Sequence, residues 1–144
     1  MDPQTLKAAF YDAFSDWLDT TPKDSTKLLA FCRDNGTFVV DDLPYPLDKT
    51  GFADHCTFHE GDLWDARCFS IISLETHIHE TQGNPAGLVH GTYNLRGKPR
   101  NAGFRQRPGH FSAVCTWDAD GNRWTALNVH FSPLLSQVLD ASPS

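Results

Sequence analysis

The sequence lacks most of the features that assign a function quickly. No apolar run approaches the ~18 residues that span a membrane, and residues 1–10, MDPQTLKAAF, hold no basic segment followed by an apolar one. Neither a membrane anchor nor a secretion signal is expected. The four cysteines, Cys32, Cys56, Cys68 and Cys115, form no CxxC pair, which favours reduced, buried thiols in the cytoplasm over disulfides or a thiolate metal site. Lys and Arg number 12 against 18 Asp and Glu, a formal net charge of −6, the wrong sign for nucleic acid or an anionic membrane. There is no HExxH, no internal repeat and no low-complexity segment. The 144 residues suit one domain, 1–144, with room for a sizeable core.

What is present is a strong hairpin pattern near the end. Residues 110–132, HFSAVCTWDADGNRWTALNVHFS, place two β-branched and aromatic runs around DADGN, where Asp-Gly suits the positive φ of a tight turn. On the second run Leu127, Val129 and Phe131 alternate with Asn128, His130 and Ser132, so one face meets a core and the other meets solvent, a partner or a ligand.

Upstream, Asp2-Pro3 caps and starts a helix that carries Leu6, Phe10, Phe14 and Trp17 on one face and ends near Thr20. A second helix is expected from Asp24 or Ser25 to a C-cap at Asn35-Gly36. Residues 37–41, TFVVD, read as a short strand stopped by Pro44 and Pro46. A third helix follows from Asp48 to Glu60-Gly61. Residues 64–79 and 86–95 read as two strands, a loop covers residues 96–101, and Pro108-Gly109 marks a bulge or kink before the hairpin. Helices gathered against antiparallel strands give an α+β two-layer architecture.

Several clusters invite chemistry. His55 and His59 are four apart on the third helix, and His77 and His79 are two apart on a strand, both workable metal spacings but without a third ligand. DADGN has a superficial likeness to a calcium loop but lacks its third acidic ligand and the Glu at the twelfth position. Arg96, Lys98, Arg100, Arg105 and Arg107 concentrate positive charge, either as a solvated loop or as a rim for a carboxylate or phosphate. Asp41, ahead of Leu43-Pro44, is either a turn residue or a general base.

Three passages, the first helix feeding AFCRDNGTFVVDD, then PLDKTGFADH, and finally DGNRWTALNVHFSP, resemble the NTF2-like superfamily, in particular its SnoaL-like and ketosteroid-isomerase-like branches. The last passage is also similar to the end of the calcium/calmodulin-dependent kinase association domain, whose final strand has a Trp after an Asp-Gly turn and a His just before a Ser. The resemblance implies an α+β cone, three N-terminal-half helices on a curved, mainly antiparallel sheet, with a pocket at the open end and a homodimer through the outer face of the sheet. It implies no cofactor and no metal.

From the isomerase branch the resemblance places a general base at Asp41, with Asp42 the adjacent alternative, and an oxyanion donor at Tyr11, with Phe10 the competing alignment. That branch also needs an acid on a late strand, yet residues 104–117 contain no Asp or Glu; His110 is the substitute donor. The arginine-lined pocket of the kinase association domain finds no arginine in SAVCTWDADG, and would draw on Arg105 or Arg107. Trp17, Trp64, Tyr93 and Phe111 are the expected aromatic lining, and Arg105 the anion partner. Two functions follow. The first is a small-molecule-binding protein acting as a cofactor-independent isomerase, dehydratase or cyclase by proton transfer on a largely apolar substrate with a polar or acidic group. The alternative is a non-catalytic ligand-binding or oligomerisation module.

Overall fold

A computed structural model of the chain describes residues 2–18, 23–60, 64–81 and 84–133. Helix α1 spans Pro3–Ala13. Its start follows the expected chemistry: the Asp2 carboxylate accepts from the Thr5 N–H at 2.9 Å, with Pro3 in the first turn. The helix ends seven residues before Thr20. A turn at Phe14 and a 3₁₀ turn at Ser15–Trp17 keep Phe14 and Trp17 in the apolar stripe begun by Leu6 and Phe10, and all four are buried.

Helix α2, Thr26–Phe31, is shorter than its pattern suggests. Asn35-Gly36 is not its C-cap: β1 runs through that dipeptide, from Cys32–Val39. The register explains why. Cys32 pairs with Ala126 and Thr37 with Asn128, with an irregularity between, and a Cβ on Gly36 would fall 2.6 Å from the Phe38 ring. Glycine is thus required by close packing in a strand, not by a helix end. Helix α3, Lys49–Glu60, begins where expected, with Asp48 Oδ1 accepting from Gly51 N–H at 2.8 Å.

Four long strands follow: β2 Trp64–Thr81, β3 Asn84–Pro99, β4 Arg105–Asp118 and β5 Arg123–Pro133. The five strands form one sheet in the order β1-β5-β4-β3-β2. Its ladders are antiparallel except for β1 against β5, which is parallel. Residues 96–99, expected in a loop, extend β3 because Arg96 and Gly97 pair with Gln106 and Arg105. Pro108-Gly109 makes no bulge; both residues keep regular register with Asn94 and Tyr93.

The closing hairpin is present, with Trp117 and Trp124 facing each other as a cross-strand pair, ring centroids 5.5 Å apart. The positive φ in its turn belongs to Asn122 (51°) and not to Gly121. A bulge between Val114 and Cys115 shifts the β5 register past Leu127. Val129 and Phe131 therefore share the core side with Trp124 and Ala126, while Leu127 falls out of the packed set.

Helix α1 packs on β2, β3 and β5, and α3 packs on β1, so the helices cover one face of the sheet. The core between the layers is largely aromatic. Phe10 stacks on Phe111 at 5.1 Å, while Phe14, Phe69 and Tyr93 form a continuous stack at 5.2 and 5.1 Å. Phe131 meets those last three rings edge-on at 5.7 to 6.0 Å, a favourable arrangement for ring quadrupoles. All four cysteines are buried, and none forms a disulfide. Burial pushes the Cys32 and Cys115 thiols up to about 12. No helix among the described residues is long and apolar enough to cross a membrane.

Candidate functional site

Between the helices and the sheet lies a cavity of about 80 Å³. Most of its wall is apolar, built from Phe14, Trp17, Leu28, Phe52, Phe69 and Phe131. Asp41, His55, Arg67 and Tyr93 give it a polar side.

Local sequence explains how Asp41 arrives there. β1 ends at Val39, and Pro44 and Pro46 prevent further ladder bonding. The chain turns at Asp41-Asp42 and is then pinned back on the strand, Phe38 and Leu47 exchanging both backbone hydrogen bonds at 2.8 and 2.7 Å. The loop carrying Asp41 is thereby closed at its base.

Two donors converge on the Asp41 carboxylate, which is 11% exposed. The Tyr93 hydroxyl donates to Oδ2 at 2.8 Å, and Arg107 Nη1 donates to Oδ1 at 3.1 Å. Burial first, and then the Asp41 charge and hydrogen bond, push the Tyr93 phenol well above its ordinary value, so it stays a donor throughout the physiological range. Gly109 makes this contact possible: a Cβ there would lie 2.5 Å from the Tyr93 hydroxyl oxygen.

Arg67 is 8% exposed, with its guanidinium 5.0 Å from the centre of the Trp17 ring, a cation–π contact. Desolvation first, and the nearby Arg107 charge second, lower its pKa to about 10. The Asp42 and Asp41 charges act the other way and favour the Arg67 cation, which shares this side of the cavity with the Asp41 carboxylate. On the adjoining wall, His55 of α3 holds Nε2 3.4 Å from Asp42 Oδ1, a histidine–carboxylate pair at the cavity edge.

The structure brings Asp41, Trp17 and Tyr93 together at one cavity and separates the rest of the expected set. Tyr11 is 37% exposed on α1, turned from the stripe that holds Leu6 and Phe10. His110 is exposed on β4, opposite in phase to the buried Phe111; neither can reach Asp41. Phe111 is buried against Phe10 in the core and does not line the cavity. Arg105 is exposed in a shallow groove with Gln106 and Arg107. The side chain of Trp64 lies outside the described residues, as does that of His59.

Comparison with known proteins adds the fold. A structure of an NTF2-like superfamily protein from Salmonella enterica superposes with a TM-score of 0.70 at 14% identity, covering 91% of this chain and 89% of that one. The fold is NTF2-like. The NTF2-like neighbours divide in function by their names. The association domain of C. elegans CaMKII aligns with a TM-score of 0.63 at 16% identity, covering 90% of this chain and 93% of that one. A candidate dehydratase from the NTF2-like family of Streptomyces avermitilis aligns at 0.67 and 12% identity, covering 92% and 96%. No family model and no curated protein matches the sequence. At these identities the NTF2-like likeness fixes the architecture and leaves chemistry to the site itself.

On the polar side of the cavity, Arg67 and His55 are the residues that the sequence reading did not select. Arg67 had a visible signal: it shares strand parity with Phe69 and Ile71, so a charged residue stood in phase with an inward-facing set. His55 was weighed only as a metal ligand with His59. Nothing in its spacing points to the loop carboxylate of Asp42.

Proposed function

We propose that this chain binds a small, mainly apolar molecule bearing an acidic group, with the acid set against Arg67 and the apolar part against the aromatic wall. The observation that carries this reading is a guanidinium, 8% exposed, on the polar side of a cavity whose wall is mostly aromatic and aliphatic. The cavity, about 80 Å³, is smaller than the ~150 Å³ apolar cavity that takes up benzene, which favours short-chain acids over ring-bearing ones. Calorimetric titration with matched series of short carboxylic acids and their alcohols tests it. Saturable binding that prefers the acid, and loses that preference in Arg67→Met, is the expected result; equal binding of acid and alcohol refutes it.

A second reading, proton transfer without a cofactor, is favoured by the His55–Asp42 pair beside Asp41. The Asp41 carboxylate already accepts from Tyr93 and Arg107, although a carboxylate has about four acceptor positions. Asp41 would act as base, with His55 backed by Asp42 as a second proton carrier, in chemistry of the isomerase, dehydratase or cyclase kind. Unchanged turnover of an identified substrate in Asp41→Asn would rule out the base.

We also assign the β4–β5 part of the sheet's outer face, the side that carries Val114 and His130, to a homodimer. Val114 is a large apolar side chain, 36% exposed, on that face. A monomer by light scattering would overturn this, and a defined higher oligomer would favour the assembly-module alternative.

A further inference from the structure

Histidines crowd the face of the sheet turned away from the helices. His77 and His79 of β2, His90 of β3, His110 of β4 and His130 of β5 are all exposed, alternating with the buried Leu74, Val89, Phe111 and Val129. Two of them meet. His77 and His90 lie diagonally across the β2–β3 ladder, His77 opposite Leu88 and His90 opposite Glu75. Their Nε2 atoms are 3.2 Å apart, with rings nearly parallel (6°) and centroids 5.3 Å apart.

That separation suits more than a shared proton. Two imidazole nitrogens bound to one zinc at 2.0–2.1 Å with a near-tetrahedral angle stand roughly 3.3 Å apart. We infer that His77 and His90 form a chelating pair for a divalent transition metal such as Zn(II), Ni(II) or Cu(II), all of which accept neutral imidazole. Bringing the two lone pairs onto one ion requires a rotation of each ring about χ2, which their exposed positions allow. Among the described residues no three ligating groups already converge. The third position falls to Glu75, exposed and directly opposite His90 on the same face, whose carboxylate can swing over the pair; water completes the shell.

The site joins residues thirteen positions apart that only the β2–β3 register brings together, so ligand spacing along the sequence does not reveal it. It is also separate from the cavity, being on the opposite face of the sheet.

The test is titration of the tag-free full chain with ZnCl₂, followed by calorimetry, and with CuCl₂, followed by the visible absorption of the bound ion. Saturable binding near one ion per chain is expected, weakened about tenfold or more in His77→Gln and in His90→Gln, since loss of even a supporting contact typically costs that much. His79→Gln, on the same face and strand, should bind within about twofold of wild type, and Glu75→Gln should bind more weakly. Absence of saturable binding, undiminished binding in either His77→Gln or His90→Gln, or an equal loss in His79→Gln would overturn the assignment. Unchanged binding in Glu75→Gln would overturn the part given to Glu75. These side chains are exposed, and thermal melts of each variant without metal, expected to match wild type, separate lost binding from lost folding.

Discussion

Replacing Asp41 with Asn gives a graded test of the polar side of the cavity. The carboxylate holds a buried phenol at 2.8 Å and a guanidinium at 3.1 Å, and hydrogen bonds to a charged group contribute about 1.5–3 kcal/mol each when shielded from water. The two bonds are not equal. Tyr93 is 3% exposed and has no access to water if it loses its acceptor, whereas the Arg107 side chain is 39% exposed and can hydrate, so its share is at most about 1 kcal/mol. Asn keeps one acceptor oxygen but presents an amide N–H₂ group toward one of the two donors. The expected cost is about 2–3 kcal/mol for Asp41→Asn, about 1–2 for Tyr93→Phe, which removes the buried donor together with its bond, and less than about 1 for Arg107→Gln. For a chain of this size each kcal/mol moves Tm by roughly 4 °C, so the three variants should separate in a calorimetric melt and in urea titration. The double variant Asp41→Asn/Tyr93→Phe should cost less than the sum of the singles by about 1 kcal/mol. An Arg107→Gln variant as unstable as Asp41→Asn, or strictly additive Asp41 and Tyr93 changes, would refute this ordering.

Three further outcomes follow from the same geometry. Arg67→Met should destabilise by about 1–3 kcal/mol in a urea melt, because it removes the contact with the Trp17 ring and the cation that the Asp42 and Asp41 charges favour; an unchanged or higher stability would show that the desolvation cost of Arg67 outweighs these interactions. Gly109→Ala should destabilise by at least about 1–3 kcal/mol, since its methyl would lie 2.4 Å from the Ser132 carbonyl oxygen and 2.5 Å from the Tyr93 hydroxyl oxygen; an unchanged urea melt would refute this close approach. Stability should fall in alkali: Cys32 and Cys115 are raised from 9.0 to about 12, so the unfolded chain loses these protons first and the folded state is disfavoured as pH rises above 9. Each thiol contributes about 1 kcal/mol of loss between pH 9 and 10. Tyr93 adds to the fall above pH 10, and Arg67, lowered to about 10, opposes it from there upward. Cys115→Ala should halve the slope between pH 9 and 10, and an unchanged slope would refute the assignment.

The helix stripe of Leu6, Phe10, Phe14 and Trp17 and the alternation of the late strands were readable because both are periodic signals set by local geometry. Asn35-Gly36 misled because a glycine needed for close packing looks the same in sequence as a glycine needed for a left-handed cap. Leu127 misled because a bulge in the ladder to β4 changes phase without any mark in β5 itself. At the site, Asp41 and Trp17 could be placed from their own surroundings. Tyr93 was expected there as aromatic lining, but its bond and that of Arg107 to Asp41 were not legible, since both are set by the β3–β4 register and by the Gly109 approach. Tyr11 and His110 were natural partners in sequence, yet each stands one residue from a buried neighbour, Phe10 or Phe111, and so falls on the outer side of its helix or strand.

The parallel pairing of β1 with β5 also constrains when the cavity can exist. Asp41 follows the end of β1, and among the described residues β1 joins one strand, β5, the last of the five in chain order. Before β5 emerges, β1 has no ladder and the cavity lacks Phe131, so the helices and β2 to β4 could associate while the ligand-binding wall stayed open. Contacts of such sequence separation form late and slowly, which makes competence to bind a delayed event in the folding of this chain, measurable as ligand-dependent fluorescence lagging behind the recovery of secondary structure.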